Sequence, residues 1–151
     1  MDVSHLPDEN AYRFVAVLNK KVETGKLMNA LGHMTAGLAG KVCQQDMQFL
    51  DYRDRDGGSH PGISHFPFIV LVADNTNKIR TARKEAIARG IPFTDFTRTM
   101  TIGSSQQQLD ATEATPEAEF EYYGLCLFGK TEVLKEFTGK FSLFKQVVNE
   151  Q

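Results

Sequence analysis

The stretch that decides the fold is "YRFVAVLN" at residues 12–19, followed after four residues by "TGKLMNALGHMTAGLAGK" at residues 24–41. The first segment is rich in apolar, aromatic and β-branched residues, which predicts a strand. The second has apolar residues three and four positions apart, which predicts a helix, and the spacing extends it to Met47. A strand followed directly by a helix is typical of an α/β domain.

The rest of the chain repeats this alternation. Further strands are predicted at residues 66–73, 91–97 and 122–128, and further helices at residues 75–90 and 131–137. Gly90 is expected to end one of these helices and Thr131 to cap the other. The run "FPFIVLVA" is continuously apolar, as in a strand covered on both faces. The expected fold is therefore α/β, a three-layer α/β/α domain with a mixed four-stranded sheet.

Chain length and two polar segments set the expected domain organisation. We expect residues 1–10 to form a flexible leader and residues 11–151 a single domain, because 151 residues suit one core. Residues 51–65 are charged and glycine-rich, and residues 104–121 are polar, with Thr115 and Pro116 able to start a short helix. Both are interpreted as long loops, which commonly act as lids or partner-binding segments.

Composition excludes several classes of protein. Hydrophobic residues make up 41% and charged residues 24%, as in ordinary globular proteins. The net charge of -2 removes the general attraction to nucleic acid that a basic protein has. No segment approaches the roughly 20 apolar residues needed to cross a bilayer, so no membrane association is expected. The acidic start "MDVSHLPDEN" has no signal-peptide pattern, which predicts a cytoplasmic location.

Neither a metal nor a cofactor is predicted. Cys43 and Cys126 lie in apolar segments and are expected to be buried free thiols. His60 and His65 lack the third and fourth ligands of a typical metal site. The tripeptide "TGK" that begins at Thr24 lacks the glycine spacing of a phosphate-binding loop.

The first helix has two distinct faces. One stripe of apolar residues is expected to pack on the sheet: Leu27, Leu31, Met34, Leu38 and Val42. Lys26 and His33 fall within about 20° of each other on another face and about 10 Å apart along the axis. Lys26 at the helix start would favour an anion there. The alternative is that Lys26 is a solvated lysine and His33 a hydrogen-bonded edge histidine.

Glycines are frequent in this helix. Gly32, Gly37 and Gly40 each cost about 1 kcal/mol of helix stability relative to alanine. This cost suggests that another backbone or a ligand approaches their face closely.

Two motifs resemble the type 2 peptidyl-tRNA hydrolases. The pair Gly25-Lys26, with His33 seven residues after the lysine, is similar to that family's first helix. The segment "DFTRT" resembles its Asp-Ala-Gly-Arg-Thr signature and aligns Asp95, Arg98 and Thr99 with it. The segments "GISHFPFIVL" and "YYGLCLFG" resemble an uncharacterised branch of that superfamily, the domain-of-unknown-function 2000 family. The likeness runs from about residue 12 to residue 145.

The resemblance implies a type 2 peptidyl-tRNA hydrolase-like fold and hydrolysis of an ester between a carboxyl group and a ribose. Lys26 would stabilise the oxyanion, and His33 would position water or a leaving group. Asp95 would orient Lys26 or activate water, and Thr99 would donate a hydrogen bond. The implied substrate-binding residues are Gly25, Asn29 and Arg98, with Arg98 meeting a phosphate or carboxylate. The alternative for Asp95 and Thr99 is a structural role, in which they form a turn at the end of the strand by hydrogen bonding to the nearby backbone.

Two functions follow from these observations. One is hydrolysis of peptidyl-tRNA or of a small-molecule acyl ester, with tRNA as partner in the first case. That hypothesis predicts a positive field around Lys26 that reaches Lys20, Lys21 and Lys41. The alternative is a non-enzymatic small-ligand-binding or regulatory protein on the same fold. The apolar strands are compatible with a homo-oligomer under either function.

Overall fold

The computed structural model describes residues 2–145, and all structural statements concern that range. Its strands are β1 (Tyr12–Asn19), β2 (Phe49–Arg53), β3 (Ser59–Ser64), β4 (Phe68–Ala73), β5 (Phe93–Thr97), β6 (Tyr122–Lys130) and β7 (Ser142–Leu143). Its helices are α1 (Thr24–Lys41), α2 (Gln44–Met47), α3 (Thr76–Ala88), α4 (Ser105–Glu113) and α5 (Thr131–Thr138). Two short 3₁₀ turns lie at Arg98–Thr101 and Glu117–Glu119. The predicted α/β class is confirmed.

The main sheet is mixed and has the order β5-β6-β1-β4-β7. β1 lies at its centre, parallel to β4 and antiparallel to β6. The prediction of four strands is wrong, because β7 adds a fifth strand through the pairs Leu71–Leu143 and Val72–Ser142. This strand has only two residues, too few for a periodic pattern to reveal.

Alternating side chains divide the core into two halves. Val15 and Val17 of β1 point to the face covered by α3 and α5, whereas Phe14, Ala16 and Leu18 point to the face covered by α1. Successive residues of a strand face opposite sides of the sheet, so both faces of β1 are buried. The domain therefore has three layers, with helices on both sides of the sheet.

The helices depart from the sequence predictions at particular residues. α1 ends at Lys41 because Val42 and Cys43 are extended, and α2 forms separately from the predicted single helix. Ile87, within the predicted helix, is 53% exposed, since it lies beyond the buried stripe formed by Ile79, Ala82 and Ala86. Thr131 is the first residue of α5 rather than its cap, and its hydroxyl bonds no backbone group of the helix.

The two predicted loops contain regular structure. Residues 51–65 contribute to the hairpin β2–β3, which forms a separate two-stranded sheet. The second loop contains α4, where Ser104 and Gln107 form a reciprocal capping box. The 3₁₀ turn Glu117–Glu119 follows Pro116, as the sequence predicted. The loop interpretation missed these elements because their residues are polar and exposed.

Candidate functional site

The exposed face of α1 forms one wall of an open groove. Because α1 buries Leu27, Ala30, Met34 and Leu38 against the sheet, Lys26, Asn29 and His33 remain exposed beside one another. We call the space the α1 groove, and its volume is about 580 Å³. It is lined by Gly25, Lys26, Asn29, His33, Arg98, Met100, Thr101, Ile102, Gln108 and Tyr123. Five of the seven predicted site residues therefore line the groove: Gly25, Lys26, Asn29 and His33 on one wall and Arg98 on the other.

The opposite wall consists of the 3₁₀ turn Arg98–Thr101 and of α4. The Arg98 amide donates to the Glu121 carbonyl at 3.0 Å, which fixes the turn to the start of β6. The Thr99 hydroxyl bonds the hydroxyls of Thr97 at 2.7 Å and Thr112 at 2.8 Å. This chain of hydroxyls ties α4 to the end of β5 and positions the wall that carries Arg98.

Two cations from separate elements line the α1 groove. Lys26 belongs to the first turn of α1, and Arg98 begins the 3₁₀ turn. The Arg98 side chain is 73% exposed and lies 3.6 Å from the Glu121 carboxylate, so it is only loosely paired. Within residues 2–145, no carboxylate lines the groove itself. The groove can therefore accept an anionic group between two cationic side chains.

His33 has a defined environment in the groove. Its ring lies parallel to the buried Phe96 ring, with centroids 5.7 Å apart and an interplanar angle of 28°. Such stacking restricts the imidazole while its edge stays accessible. His33 can thus donate or accept a hydrogen bond with a bound ligand.

Asp95 is not part of the α1 groove. On β5, Thr94 and Phe96 face α1, so the intervening Asp95 points to the opposite side of the sheet. There its carboxylate accepts a hydrogen bond from Nε of Arg83 at 2.8 Å. The expected role of Asp95 in orienting Lys26 does not agree with this placement.

Thr99 also lies outside the lining of the groove. Its hydroxyl is bonded on both sides by Thr97 and Thr112, which the resemblance did not anticipate. We therefore interpret Thr99 as a positioning residue for the groove wall.

The glycines of α1 have no other backbone packed against them in the described residues, and the expected approach of a ligand stays a prediction. A Cβ atom added at Gly32 or Gly40 would meet no atom within 4 Å, and at Gly37 it would meet only the Thr94 methyl at 3.5 Å. No backbone among the described residues approaches them closely. The close approach occurs instead at Gly124 of β6, where an added Cβ would lie 2.7 Å from Met34 of α1.

The other lysines that were expected to extend the field around Lys26 lie in separate places. Lys21 borders a small depression that adjoins the groove and shares Lys26, Arg98 and Tyr123 with it. Lys20 lines a different crevice. Lys41, at the far end of α1, donates to the Phe93 carbonyl at 3.3 Å. Lys21, Lys26 and Arg98 therefore lie near one another, but Glu23 and Glu121 line the same depression and offset part of their charge.

Several groove residues were missed by sequence reasoning. Met100 and Ile102 supply apolar surface, Gln108 supplies an amide from α4, and Tyr123 forms part of the floor. Gln108 was not predicted as a groove residue because the segment that forms α4 was interpreted as a loop. Tyr123 is a buried aromatic residue of β6, and nothing in the sequence showed that it borders a groove.

The two cysteines and the two loop histidines lie outside the α1 groove. Cys43 and Cys126 are free, and Cys126 is buried as predicted, but Cys43 is exposed, so the prediction of its burial is wrong. Burial raises the pKa of the Cys126 thiol to about 12, so it is inert near neutral pH. Nε2 of His60 lies 3.0 Å from the Asp54 carboxylate, and Nε2 of His65 lies 2.8 Å from the Pro7 carbonyl. Neither belongs to a group of three or more potential metal ligands in the described chain.

Comparison with known families decides where the chain belongs. A family model described as "Protein of unknown function (DUF2000)" matches residues 12–145. The chain belongs to the DUF2000 family. This match confirms the family predicted from "GISHFPFIVL" and "YYGLCLFG", whereas the likeness to the type 2 peptidyl-tRNA hydrolases stays a prediction.

A solved structure shares the fold of this DUF2000 chain. It is a protein of unknown function from Agrobacterium tumefaciens strain C58, with a TM-score of 0.76 and 15% sequence identity. The match covers 89% of this chain and 98% of that one. At this identity the likeness concerns the fold alone. None of the curated proteins matches the chain significantly. Among the helices of residues 2–145, none has the length and hydropathy needed to cross a membrane.

Proposed function

We propose that this DUF2000 protein binds a small molecule with an anionic group in the α1 groove. The observation that carries the proposal is the convergence of Lys26 and Arg98 on one groove whose lining has no carboxylate among the described residues. An anion held between an ammonium and a guanidinium gains two charge-assisted hydrogen bonds. Asn29, His33 and Gln108 add further hydrogen-bonding groups around it.

The apolar residues of the groove indicate the rest of the ligand. Ile102 is 45% exposed and lies with Met100 beside the two cations. A ligand with a hydrocarbon or aromatic body next to its charge would cover this surface, which stabilises the complex by burying apolar area. An acylated amino acid has this combination of a carboxylate and an apolar group.

Binding can be tested with N-acetylphenylalanine as the probe. We expect chemical-shift changes in the amide NMR signals of α1 and of the Arg98–Thr101 turn. The variants Lys26→Ala and Arg98→Ala should each weaken binding by about tenfold, because one charge-assisted hydrogen bond is lost. Lys84→Ala is the matched control, because Lys84 is exposed and lines neither the groove nor the depression beside it. Equal affinity of all variants would contradict the proposal.

Hydrolysis of an acyl ester, including peptidyl-tRNA, is the second candidate. It is favoured by one specific observation, that Lys26 and His33 line the same groove, as the resemblance to type 2 peptidyl-tRNA hydrolases implies. In this hypothesis Lys26 stabilises the oxyanion and His33 acts on water or on the leaving group. The fold-level likeness to those hydrolases belongs to the same proposal.

The test of hydrolysis is release of deacylated tRNA from purified peptidyl-tRNA. We expect Lys26→Ala and His33→Ala to abolish turnover, while Asp95→Asn retains it because Asp95 lies on the other face of the sheet. Wild-type protein without turnover at concentrations near that of the substrate would exclude this substrate and leave binding as the function.

A further inference from the structure

The helices that follow two neighbouring strands lie on opposite faces of the sheet. β1 and β4 are parallel and end side by side, with Asn19 paired to Ala73. β1 continues into α1 on one face, whereas β4 continues into α3 on the other face. In α/β sheets such a divergence leaves a crevice outside the carboxyl ends of the strands, where ligands commonly bind.

The buried side chain of Asn19 holds this arrangement. Its amide donates to the Tyr122 carbonyl at 2.8 Å and to the Thr76 hydroxyl at 3.2 Å. Its oxygen accepts from the Lys21 amide at 2.9 Å. The end of β1 is thereby bound to the start of α3 and to the start of β6, so the crevice has a fixed frame.

A crevice of about 510 Å³ occupies this position, and we call it the switch-point crevice. Four lysines line it and come from three parts of the chain: Lys20 after β1, Lys78 in α3, and Lys140 and Lys145 on either side of β7. Within the described residues its lining contains a single carboxylate, Asp74. The crevice is therefore positively charged.

Asp74 does not neutralise all of these lysines. Its carboxylate accepts a hydrogen bond from Nζ of Lys78 at 3.0 Å, in an exposed pair. That bond, with smaller contributions from the charges of Lys78, Lys20 and Lys21, lowers the pKa of Asp74. Because the described lining contains no other carboxylate, Lys20, Lys140 and Lys145 remain available to an anionic ligand.

Part of the crevice lining is apolar. Leu27 and Phe141 are buried, and Leu143 of the edge strand is 56% exposed. The volume lies within the range of about 300 to 1,000 Å³ that is typical of small-molecule sites. The space therefore suits a ligand with one strongly anionic end and an organic body.

We propose that the switch-point crevice binds a phosphorylated small molecule. Several lysines around one space suit a multiply charged phosphate, which each lysine contacts as a point charge. The organic body would lie against the apolar side chains of the lining, which include Leu27, Phe141 and Leu143. This site goes beyond the function proposed for the α1 groove, because the two sites share no charged residue.

The proposal can be tested by titration calorimetry with ADP, ribose 5-phosphate and inorganic pyrophosphate as probes. We expect at least one of the two organic phosphates to bind saturably with a Kd below about 1 mM, more weakly as salt concentration rises. The double variant Lys20→Gln/Lys140→Gln should weaken that binding by at least about tenfold. The matched control Lys84→Gln/Lys135→Gln removes two exposed lysines outside the crevice and should retain it.

Other outcomes would overturn the proposal. Absence of saturable binding for all three probes would exclude a phosphate site. Loss of binding in Lys26→Ala/Arg98→Ala, with retention in Lys20→Gln/Lys140→Gln, would place the phosphate in the α1 groove instead. Tighter binding of pyrophosphate than of both organic phosphates would contradict a contact between the organic body and the apolar residues of the lining. Failure of N-acetylphenylalanine to bind would contradict only the function proposed for the α1 groove.

Discussion

The carboxylate of Asp95 accepts a hydrogen bond from Nε of Arg83 at 2.8 Å, on the face of the sheet that α1 does not cover. Both side chains are largely buried, with 15% and 26% of their surface exposed. The Arg83 guanidinium also lies 5.4 Å from the Phe93 ring centroid. The pair joins α3 to β5, which makes it a structural contact rather than a part of the α1 groove.

Asp95→Asn is expected to lower the free energy of unfolding by about 1 to 2 kcal/mol, because Arg83 loses a charged acceptor in a partly buried site. Urea denaturation measures this change. Glu85→Gln is a matched control, since Glu85 pairs with Arg89 in a more exposed position and should cost less than about 0.5 kcal/mol. Weakened binding of N-acetylphenylalanine by folded Asp95→Asn would contradict the assignment.

Thr99→Val and Thr112→Val should have similar effects. Each removes one hydroxyl from the chain that connects β5 to α4, and each should cost about 1 kcal/mol of stability. Because the wall that carries Arg98 is then less fixed, both should weaken ligand binding in the α1 groove to a similar extent. A large loss of binding or turnover confined to Thr99→Val would instead support the catalytic role that the resemblance implies. Calorimetry and urea denaturation provide the two readouts.

Gly32→Ala is expected to raise the free energy of unfolding by about 0.5 to 1 kcal/mol. Alanine favours the helical backbone more than glycine, and an added Cβ would meet no atom of residues 2–145 within 4 Å. Thermal and urea unfolding measure the gain. A decrease in stability would contradict the open space observed at Gly32. A loss of ligand binding with the fold intact would indicate that the ligand contacts the glycine face of α1.

Gly124→Ala should lower stability by about 1 to 3 kcal/mol, the usual cost of overpacking a core. Its Cβ would lie 2.7 Å from the Met34 methyl and 3.2 Å from the Val17 carbonyl oxygen of the neighbouring strand. Gly129→Ala on the same strand is the control, because its closest contact would be an ordinary 3.6 Å. Equal stability of the two variants in urea denaturation would show that the Met34 side chain, or α1 as a whole, can move away from β6 at little cost.

The two cysteines should differ strongly in reactivity. At about pH 8, burial and a pKa of about 12 leave roughly 10⁻⁴ of the Cys126 thiol ionised, whereas Cys43 is exposed. Titration of the native protein with a thiol reagent should therefore modify one cysteine rapidly. In Cys43→Ser the rapid phase should disappear until denaturant is added. A rapid phase that persists in native Cys43→Ser would mean that Cys126 is accessible.

The central elements of the fold could be predicted because each carries its own hydrophobic pattern. β1 matches its predicted bounds, and α3 begins at its Asn75 cap and ends before Gly90, which has a positive φ of 65°. The hairpin β2–β3 was missed because it is held by local hydrogen bonds, including those to the Asp54 carboxylate, and buries little surface.

The candidate site was only partly predictable, for a geometric reason. Lys26 and His33 could be placed on one face because both lie on a single helix, whose period fixes their relative directions. Asp95 depended on which side of β5 faces α1, and a shift of one residue reverses that assignment. The wall formed by Arg98 and Gln108 depends on contacts between segments distant in sequence, which helical or strand period does not encode.

The central position of β1 also has a consequence for how the chain folds. Phe14 pairs with Phe68 on one side and with Phe128 on the other, so β1 is synthesised well before β6, one of its two neighbours in the sheet. Contacts between distant segments slow folding, because a long loop must close before they form. A nascent chain that has not yet exposed β6 outside the ribosome leaves one edge of β1 unpaired. Until then this apolar strand is a natural client for chaperones.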